Sequence, residues 1–324
     1  GAKTFFRTPR PSAWEPNTTA ASSREKCGKL MEQKETGMAA AESCGRVPVN
    51  KIIPFSAVDG PGNRTAIFLQ GCNFDCRYCH NPETRNLCRS CGTCVEKCPK
   101  GALFFGEDKK VHFHPEKCCG CDTCIHVCPF GCSPRIRMMN AEEVFAEVKK
   151  QQPYIRGITV SGGECTLYPD FLRELFTIAR KAGLGTLIDS NGTLDFEKYP
   201  ELLAVTDGVM LDIKGWDLED HLRVTGVSNE MVLKNAEYLA ASGKLFEVRT
   251  VVVPELFDCE KTVRETARLA ASHLAQGNIR YKIIAYRPMG VREAYSHYRV
   301  PDKAFLNGLA DLARQEGMMD VLIV

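Results

Sequence analysis

The chain of 324 residues has no apolar run of 18 residues, so the sequence predicts no transmembrane helix. It also lacks an excess of charge of one sign, because 42 basic and 40 acidic residues leave a formal net charge of +2. This interspersed charge gives no reason to expect a nucleic acid or a membrane as partner. The N-terminus does not show the charged, apolar and small-residue order of a secretion signal, and a cytoplasmic location is therefore expected.

Cysteine, in contrast, is abundant. The chain has 17 cysteines, and without a secretion signal this number indicates reduced thiols that hold metal rather than disulfides. The motif GCNFDCRYCHNP places Cys72, Cys76 and Cys79 at CxxxCxxC spacing. Three thiolates predict an iron-sulfur cluster that leaves one iron open.

Two further runs each read CxxCxxCxxxCP, the spacing of bacterial ferredoxins that carry two clusters. In that pattern the fourth cysteine of each run ligates the other cluster. The expected ligands are a first set, Cys88, Cys91, Cys94 and Cys128, and a second set, Cys118, Cys121, Cys124 and Cys98. Structural zinc is the alternative, although zinc sites are typically built from two separated pairs. Cys119 could replace Cys118, and Cys132 falls outside the pattern as a spare thiol.

Residues 1–46 differ in composition from the rest of the chain. They are rich in Ser, Thr, Glu, Lys and Ala and show no sustained apolar periodicity. We expect a disordered N-terminal extension, with a short partner-binding arm as the alternative. Met31 and Met38 are candidate natural starts, and Cys27 and Cys44 are expected to be incidental thiols.

The remainder alternates strand-like with helical segments. The strand-like runs are TAIFLQ, GITVSGG, GTLIDSNG, GVMLDIK, FEVRTVVVP, IRYKIIAY and DVLIV. A helix is predicted over residues 141–150, where Asn140 and Glu143 form a capping-box pattern, and apolar faces predict helices over 171–179 and 305–312. This alternation is typical of parallel β/α units.

Polar residues cluster just after the apolar runs. They are Cys72, Ser161 to Glu164, Asp189 to Gly192, Asp212 to Lys214, and Arg249. Parallel α/β enzymes build their sites at the carboxyl ends of their strands, so these residues are expected to meet. Residues 84–135 interrupt the alternation with two equal halves and are predicted to form a ferredoxin-like insertion. The surrounding residues 47–83 and 136–324 form the predicted barrel.

The segment SAVDGPGNRTAIFLQGCNFDCRYCHNP resembles the radical S-adenosylmethionine enzymes, specifically the glycyl-radical enzyme activating enzymes. The resemblance runs from Ile52 to the C-terminus and includes SGGE, DSNG, MLDIK, HLRVTG and RTVVVP. Members with an eight-cysteine insertion form a subgroup. The resemblance implies an α/β fold, a partial (β/α)6 TIM-like barrel with an inserted ferredoxin-like two-cluster domain.

It also implies the chemistry. The open iron would chelate S-adenosylmethionine, whose reductive cleavage gives a 5′-deoxyadenosyl radical that abstracts hydrogen from a glycine of a partner glycyl-radical enzyme. The implied cofactors are three 4Fe-4S clusters and S-adenosylmethionine, with a monovalent cation as a further candidate. Flavodoxin or ferredoxin would be the electron donor.

Site residues follow from the same resemblance. Tyr78 would lie near adenine, with His80 and Asn81 in the same pocket, although core packing is the alternative for Tyr78. Gly162 and Gly163, between Ser161 and Glu164, would approach the methionyl amine. The wall around the methionyl carboxylate and its cation would be Asp189, Asp212, Ile213, Lys214, His221 and Arg249, whose polar members could each instead be surface ion-pair residues. Asp59 of DGPG would meet the glycine loop of the partner, with a plain turn aspartate as the rival interpretation.

Two positions depart from the family pattern. Cys165 follows SGGE, where many relatives have Pro or Ala, and it is either reactive or a small buried residue. Arg287 stands where relatives often carry histidine. The competing functions are an iron-sulfur electron carrier and a radical enzyme that acts on a small molecule or on ribonucleotide reductase.

Overall fold

The computed structural model describes residues 45–324. The predicted N-terminal extension, with Cys27 and Cys44, therefore lies outside the described residues except for positions 45 and 46. The strands are β1 (Val47–Ser56), β2 (Arg64–Leu69), β3 (Leu103–Phe105), β4 (Val111–Phe113), β5 (Arg137–Met139), β6 (Gly157–Gly162), β7 (Gly185–Ser190), β8 (Gly208–Asp212), β9 (Leu245–Val252), β10 (Arg280–Ala285) and β11 (Asp320–Ile323).

The main sheet has nine strands in the order β11-β10-β9-β8-β7-β6-β2-β1-β5. In this sheet, β2, β6, β7, β8, β9, β10 and β11 pair in parallel, each with the next. Strand β1 pairs antiparallel with both β2 and β5. The mostly parallel sheet confirms the α/β class and agrees with a partial barrel. It contains seven parallel strands rather than six, because the terminal run DVLIV adds β11 beside β10.

The helices are α1 (Thr93–Lys97), α2 (Thr123–His126), α3 (Ala141–Lys149), α4 (Pro169–Lys181), α5 (Pro200–Ala204), α6 (Leu218–Thr225), α7 (Glu230–Ala241), α8 (Cys259–Ser272) and α9 (Lys303–Gln315). The predicted capping box of α3 is confirmed, because Asn140 accepts from the Glu143 amide and the Glu143 carboxylate accepts from the Asn140 amide. Helix α4 buries its predicted apolar face against the sheet and ends before Gly183, whose φ is +77°.

Residues 84–135 fold between β2 and β5. They contain α1, α2 and the antiparallel pair of β3 and β4. Their own apolar cluster has only three buried members, Cys94, Leu103 and Cys124. Among residues 45–324, no helix is both long and apolar enough to cross a membrane.

Candidate active site

The cysteine loop, residues 71–81, follows β2 and is held by the C-terminal end of α6. The amides of Asp75 and Arg77 donate to the carbonyls of Thr225 and Val224, each at 2.9 Å. These carbonyls belong to the last turn of α6, where helix carbonyls lack intrahelical partners. The HLRVTG segment therefore positions the cysteine loop, a role that the sequence analysis did not assign to it.

The glycine pair after β6 packs directly against this loop. A Cβ on Gly162 would lie 2.2 Å from the Leu69 carbonyl oxygen, and one on Gly163 would lie 2.1 Å from the Gly71 carbonyl oxygen. The Glu164 amide donates to that same Gly71 oxygen at 2.7 Å. Glycine is thus required at both positions for the approach of two backbone segments.

The structure brings the three thiols of the first run to one cavity. Its lining comprises Cys72, Cys76 and Cys79 with Phe74, Asn81, Pro82, Thr84, Arg85, Gly162, Gly163 and Arg292. Burial raises the pKa of all three thiols above the ordinary value. Because a buried thiolate needs a balancing charge, this chemistry fits a metal cluster bound by three sulfurs and facing open space.

Two arginines at this cavity were not found from the sequence. Arg292 donates to the Cys76 carbonyl at 3.0 Å and pairs with the Asp75 carboxylate at 2.7 Å. Arg85 pairs with the same carboxylate. In the described structure, the buried Nε atoms of both arginines have no hydrogen-bond partner. The pair places positive charge beside the three thiols.

His80 is not among the residues that line this cavity in the described structure. Its Nε2 lies 2.9 Å from the Arg287 carbonyl, and its ring stacks on Tyr286 at a centroid distance of 6.5 Å. Arg287, the residue that departs from the family pattern, therefore contacts His80 through its backbone carbonyl, a group that any residue at this position would supply. Asn81, predicted beside His80, does line the cavity.

Tyr78, on the cysteine loop, lies close to Lys214, which follows β8. The Lys214 ammonium lies 5.8 Å from the Tyr78 ring centroid and pairs with the Asp212 carboxylate at 2.7 Å. Burial works to lower the pKa of Lys214, but Asp212, Cys76 and Tyr78 together raise it above the ordinary value. Lys214 is therefore a cation, and the Tyr78 hydroxyl is buried without a hydrogen-bond partner in the described residues.

His221 is fully buried on α6. Its Nδ1–H donates to the Val227 carbonyl at 2.8 Å, and its ring meets Phe74 edge-on at 5.4 Å. Burial lowers the pKa of His221 to about 4, so the ring is neutral at pH 7. Its Nε2 is then a hydrogen-bond acceptor, and it has no partner among the described residues.

Asp189, on β7, forms a charge network with Arg249 and Glu247 on β9, the strand on the other side of β8. Arg249 Nη1 lies 3.0 Å from Asp189 Oδ1, and Ser161 Oγ donates to Asp189 Oδ2 at 3.0 Å. Glu247, 1% exposed, accepts from Arg249 Nε and pairs with Lys282 at 3.1 Å. The sequence analysis missed Glu247, although its i, i+2 spacing places it on the same face of β9 as Arg249.

Glu164 links the ends of β6 and β7. It is 1% exposed and accepts from the Thr166 amide and hydroxyl, the Ser190 hydroxyl and the Asn191 amide. Burial raises the pKa of Glu164, whereas these hydrogen bonds lower it and only partly offset the effect. The Asn191 side chain donates to Asn73 Oδ1 at 2.8 Å, so the DSNG turn also contacts the cysteine loop.

The remaining predicted positions differ in their surroundings. Ile213 packs in the core, and its amide donates to the Arg249 carbonyl at 2.8 Å. Cys165 is fully buried, and its thiol donates to the Val160 carbonyl at 3.3 Å, which supports the interpretation as a small buried residue. Asp59 accepts from Ser56 Oγ at 2.5 Å. Burial is the largest cause that raises the pKa of Asp189, and the nearby Asp59 carboxylate adds a smaller increase.

The insertion brings the cysteines of the second set together. Cys98, Cys118, Cys121 and Cys124 all line a second cavity, and Cys119 lies on its wall. In the first set, Cys88 and Cys128 both contact Cys132, whereas Cys91 Sγ lies 3.6 Å from Thr93 Oγ1. Each of the two cysteine sets thus draws on both halves of the insertion.

Comparison with known proteins identifies the family. A model of the radical SAM superfamily matches residues 66–270. The chain belongs to the radical SAM superfamily. The chain is 33% identical over 252 residues to the pyruvate formate-lyase-activating enzyme of Streptococcus mutans, covering 75% of this chain and 78% of the relative. It is also 32% identical over 272 residues to the (2S)-3-sulfopropanediol dehydratase activating enzyme of Klebsiella oxytoca, covering 77% and 84%.

These relatives place the chain among the glycyl-radical enzyme activating enzymes within the superfamily. Of the solved structures, Streptococcus suis SuiB bound to precursor peptide SuiA aligns with a TM-score of 0.51 at 13% identity, covering 79% of this chain and 47% of that one. At this identity the likeness concerns the fold alone. The chain is an enzyme of the radical SAM type, as the resemblance implied.

Proposed function

We propose that this activating enzyme uses the three-thiol cavity to bind a 4Fe-4S cluster and S-adenosylmethionine and generates a glycyl radical on a partner enzyme. The observation that carries the proposal is that Cys72, Cys76 and Cys79 line one cavity in a chain of this family. When bound, the cluster supplies the electron that cleaves the sulfonium, and the resulting 5′-deoxyadenosyl radical takes hydrogen from the partner's glycine.

The protein's own residues bind and orient the cosubstrate in this proposal. Lys214 supplies positive charge for the methionyl carboxylate, and the unpartnered Nε2 of His221 offers an acceptor for the methionyl amine. Gly162 and Gly163 let the end of β6 pack against the backbone of the cysteine loop at the cavity wall, while Asp189 and Asp212 are the candidate ligands of a monovalent cation. Tyr78 is the proposed neighbour of adenine, and Asp59 the contact for the incoming peptide.

The insertion is proposed to hold two further 4Fe-4S clusters that pass electrons from a flavodoxin or ferredoxin to the first. The cavity shared by all four cysteines of the second set supports this assignment over two local zinc pairs. With three clusters, the anaerobically reconstituted protein should contain about 12 irons per chain. Iron near four per chain, with zinc making up the remainder, would overturn the assignment.

Cysteine variants separate the clusters by role. Cys76→Ala should abolish cleavage of S-adenosylmethionine to 5′-deoxyadenosine, because only the first cluster has an open iron. Cys98→Ala should break one insertion cluster and leave some cleavage when dithionite reduces the first cluster directly. Both variants should keep the circular dichroism that comes from the barrel helices. Equal and total loss in both would mean that the insertion is integral to the chemistry.

A glycine labelled with deuterium at Cα in the partner tests the radical step. The reduced protein, S-adenosylmethionine and the cognate glycyl-radical enzyme should give a doublet electron paramagnetic resonance signal, and the label should appear in 5′-deoxyadenosine. Asp59→Ala should suppress this transfer while sparing uncoupled cleavage, because its proposed contact is with the peptide. Label found in a small molecule, without a protein radical, would favour the small-molecule alternative.

A further inference from the structure

The two halves of the insertion differ at one matching position. The first half ends in CPKGA, residues 98–102, and the second in CPFGC, residues 128–132. Cys132 thus stands where the first half has Ala102. The Ala102 amide donates to the Cys98 sulfur at 3.2 Å, so position 102 lies against its cysteine but carries no thiol.

Cys132 lies among the cysteines of the first set. It is 1% exposed, and its Sγ is 3.5 Å from Cys128 Sγ. It also forms a hydrogen bond with the Cys88 thiol. Cys132 therefore occupies the space between two predicted ligands that come from opposite halves of the insertion.

Contacts that do not involve Cys128 hold Cys132 in place. The Ser133 amide donates to the Glu83 carbonyl at 2.8 Å, and Asn86 Nδ2 donates to the Phe130 carbonyl at 2.8 Å. The Arg89 guanidinium lies 4.7 Å from the Phe130 ring centroid. These anchors fix the chain on both sides of Cys132, so its thiol stays near the cluster position when the Cys128 side chain is removed.

We infer that Cys132 is a reserve ligand of the first-set cluster, able to bind the iron that Cys128 binds. The exchange is a substitution: an iron–sulfur bond to Cys132 forms as the bond to Cys128 breaks, the Cys132 thiol proton passes to the released Cys128 thiolate, and no electron is transferred. The second-set cluster has no such reserve for Cys98, because alanine stands at 102, and Cys119 is adjacent in sequence to a different ligand, Cys118. This inference rests on the two insertion clusters of the proposed function.

Matched variants of the full chain test it by iron content after anaerobic reconstitution and brief mild oxidation, which strips an iron that lacks a thiolate. Cys128→Ala should retain the iron content of the parent, about 12 per chain. Cys98→Ala and the double variant Cys128→Ala/Cys132→Ala should each lose at least one iron. Ala102→Cys in the Cys98→Ala background should restore the loss. The first cluster contributes equally to every variant, so the differences report on the insertion.

Three outcomes would overturn the inference. If Cys128→Ala loses as much iron as the double variant while the parent holds about 12, the reserve ligand fails and the proposed function stands. If Cys132→Ala alone loses iron, Cys132 is a resident ligand and not a reserve. If the parent holds only about four irons, the insertion clusters and the reserve ligand fail together.

Discussion

The barrel and the insertion differ in what holds their functional side chains in place. In the barrel, the site residues lie at the edge of a large apolar core, and buried charges such as Asp189 and Arg249 are paired within the protein. In the described insertion, the buried apolar cluster comprises Leu103 and two predicted ligands, Cys94 and Cys124. A core of this size stabilises little on its own. The barrel geometry is therefore built by apolar burial, whereas we expect the insertion to depend on bound metal.

Iron removal should separate the two regions most strongly. Chelation under anaerobic conditions is expected to speed amide hydrogen exchange across 88–132 by about 100-fold or more, because its opening free energy falls toward zero. Strands β6 to β9 should keep their protection, since only one of the many buried members of their core in the described structure, Cys76, is a predicted ligand. Mass spectrometry of peptic fragments measures both regions in one sample.

The control is chelation of the Cys98→Ala variant, in which part of the insertion should already exchange quickly before iron is removed. Unchanged protection of 88–132 after complete removal of iron would show that the insertion folds without metal. The contrast between the two regions would then be wrong.

Hydrophobic patterning predicted the parallel strands because each buried strand is a short apolar run between helices. It did not predict β1 and β5. Strand β1 mixes buried and exposed positions without regular alternation and contains Pro48 and Pro54, so it gives no period-two signal. Strand β5 has only three residues, which is too short for a pattern. Both pair antiparallel at the edge of the sheet, where burial is one-sided and the sequence is less constrained.

Site residues could be predicted from the sequence where they lie on a strand or directly after one. They could not be predicted where they come from a segment that is distant in sequence. Asp189 lies near the end of β7 and Arg249 on β9, with only β8 between the two strands, so the parallel sheet brings them together. Arg292 contacts the Cys76 carbonyl across 216 residues of sequence, and no local pattern marks it. Cys132 was noticed only as a thiol outside the pattern. The inference that Cys132 is a reserve ligand depends on the fold, which places its thiol against that of Cys128.

Substitutions of Glu164 test how much the hydrogen-bond partners of a buried carboxylate stabilise the barrel site. Glu164→Ala leaves buried donors of Thr166, Ser190 and Asn191 without an acceptor and should cost about 3 kcal/mol of the free energy of unfolding. Glu164→Gln retains one oxygen and should cost about 1 kcal/mol. Denaturant unfolding at equal iron content measures both. A cost for Glu164→Ala below that for Glu164→Gln would mean that Glu164 acts on the cofactor and not on the fold.

His221 gives a smaller expected effect than Glu164→Ala, and this effect appears as a dependence of barrel stability on pH. Its pKa is about 4 in the folded protein, below the ordinary value of 6.5, so the unfolded chain binds more protons between these values. The stabilisation from neutral His221 is complete above pH 6.5 and is lost as the pH falls toward 4. Between pH 7 and pH 5 the loss should reach about 2 kcal/mol.

His221→Asn isolates this contribution. The asparagine amide can donate to the Val227 carbonyl as Nδ1 does, but it does not titrate. Anaerobic urea unfolding at the two pH values should show a smaller fall in the variant than in the parent. His297 is exposed, so His297→Asn should leave the fall unchanged. Equal falls in the parent and His221→Asn would mean that the folded protein holds His221 protonated at pH 5, which requires an acid near Nε2 and would give this histidine a donor role toward the cosubstrate.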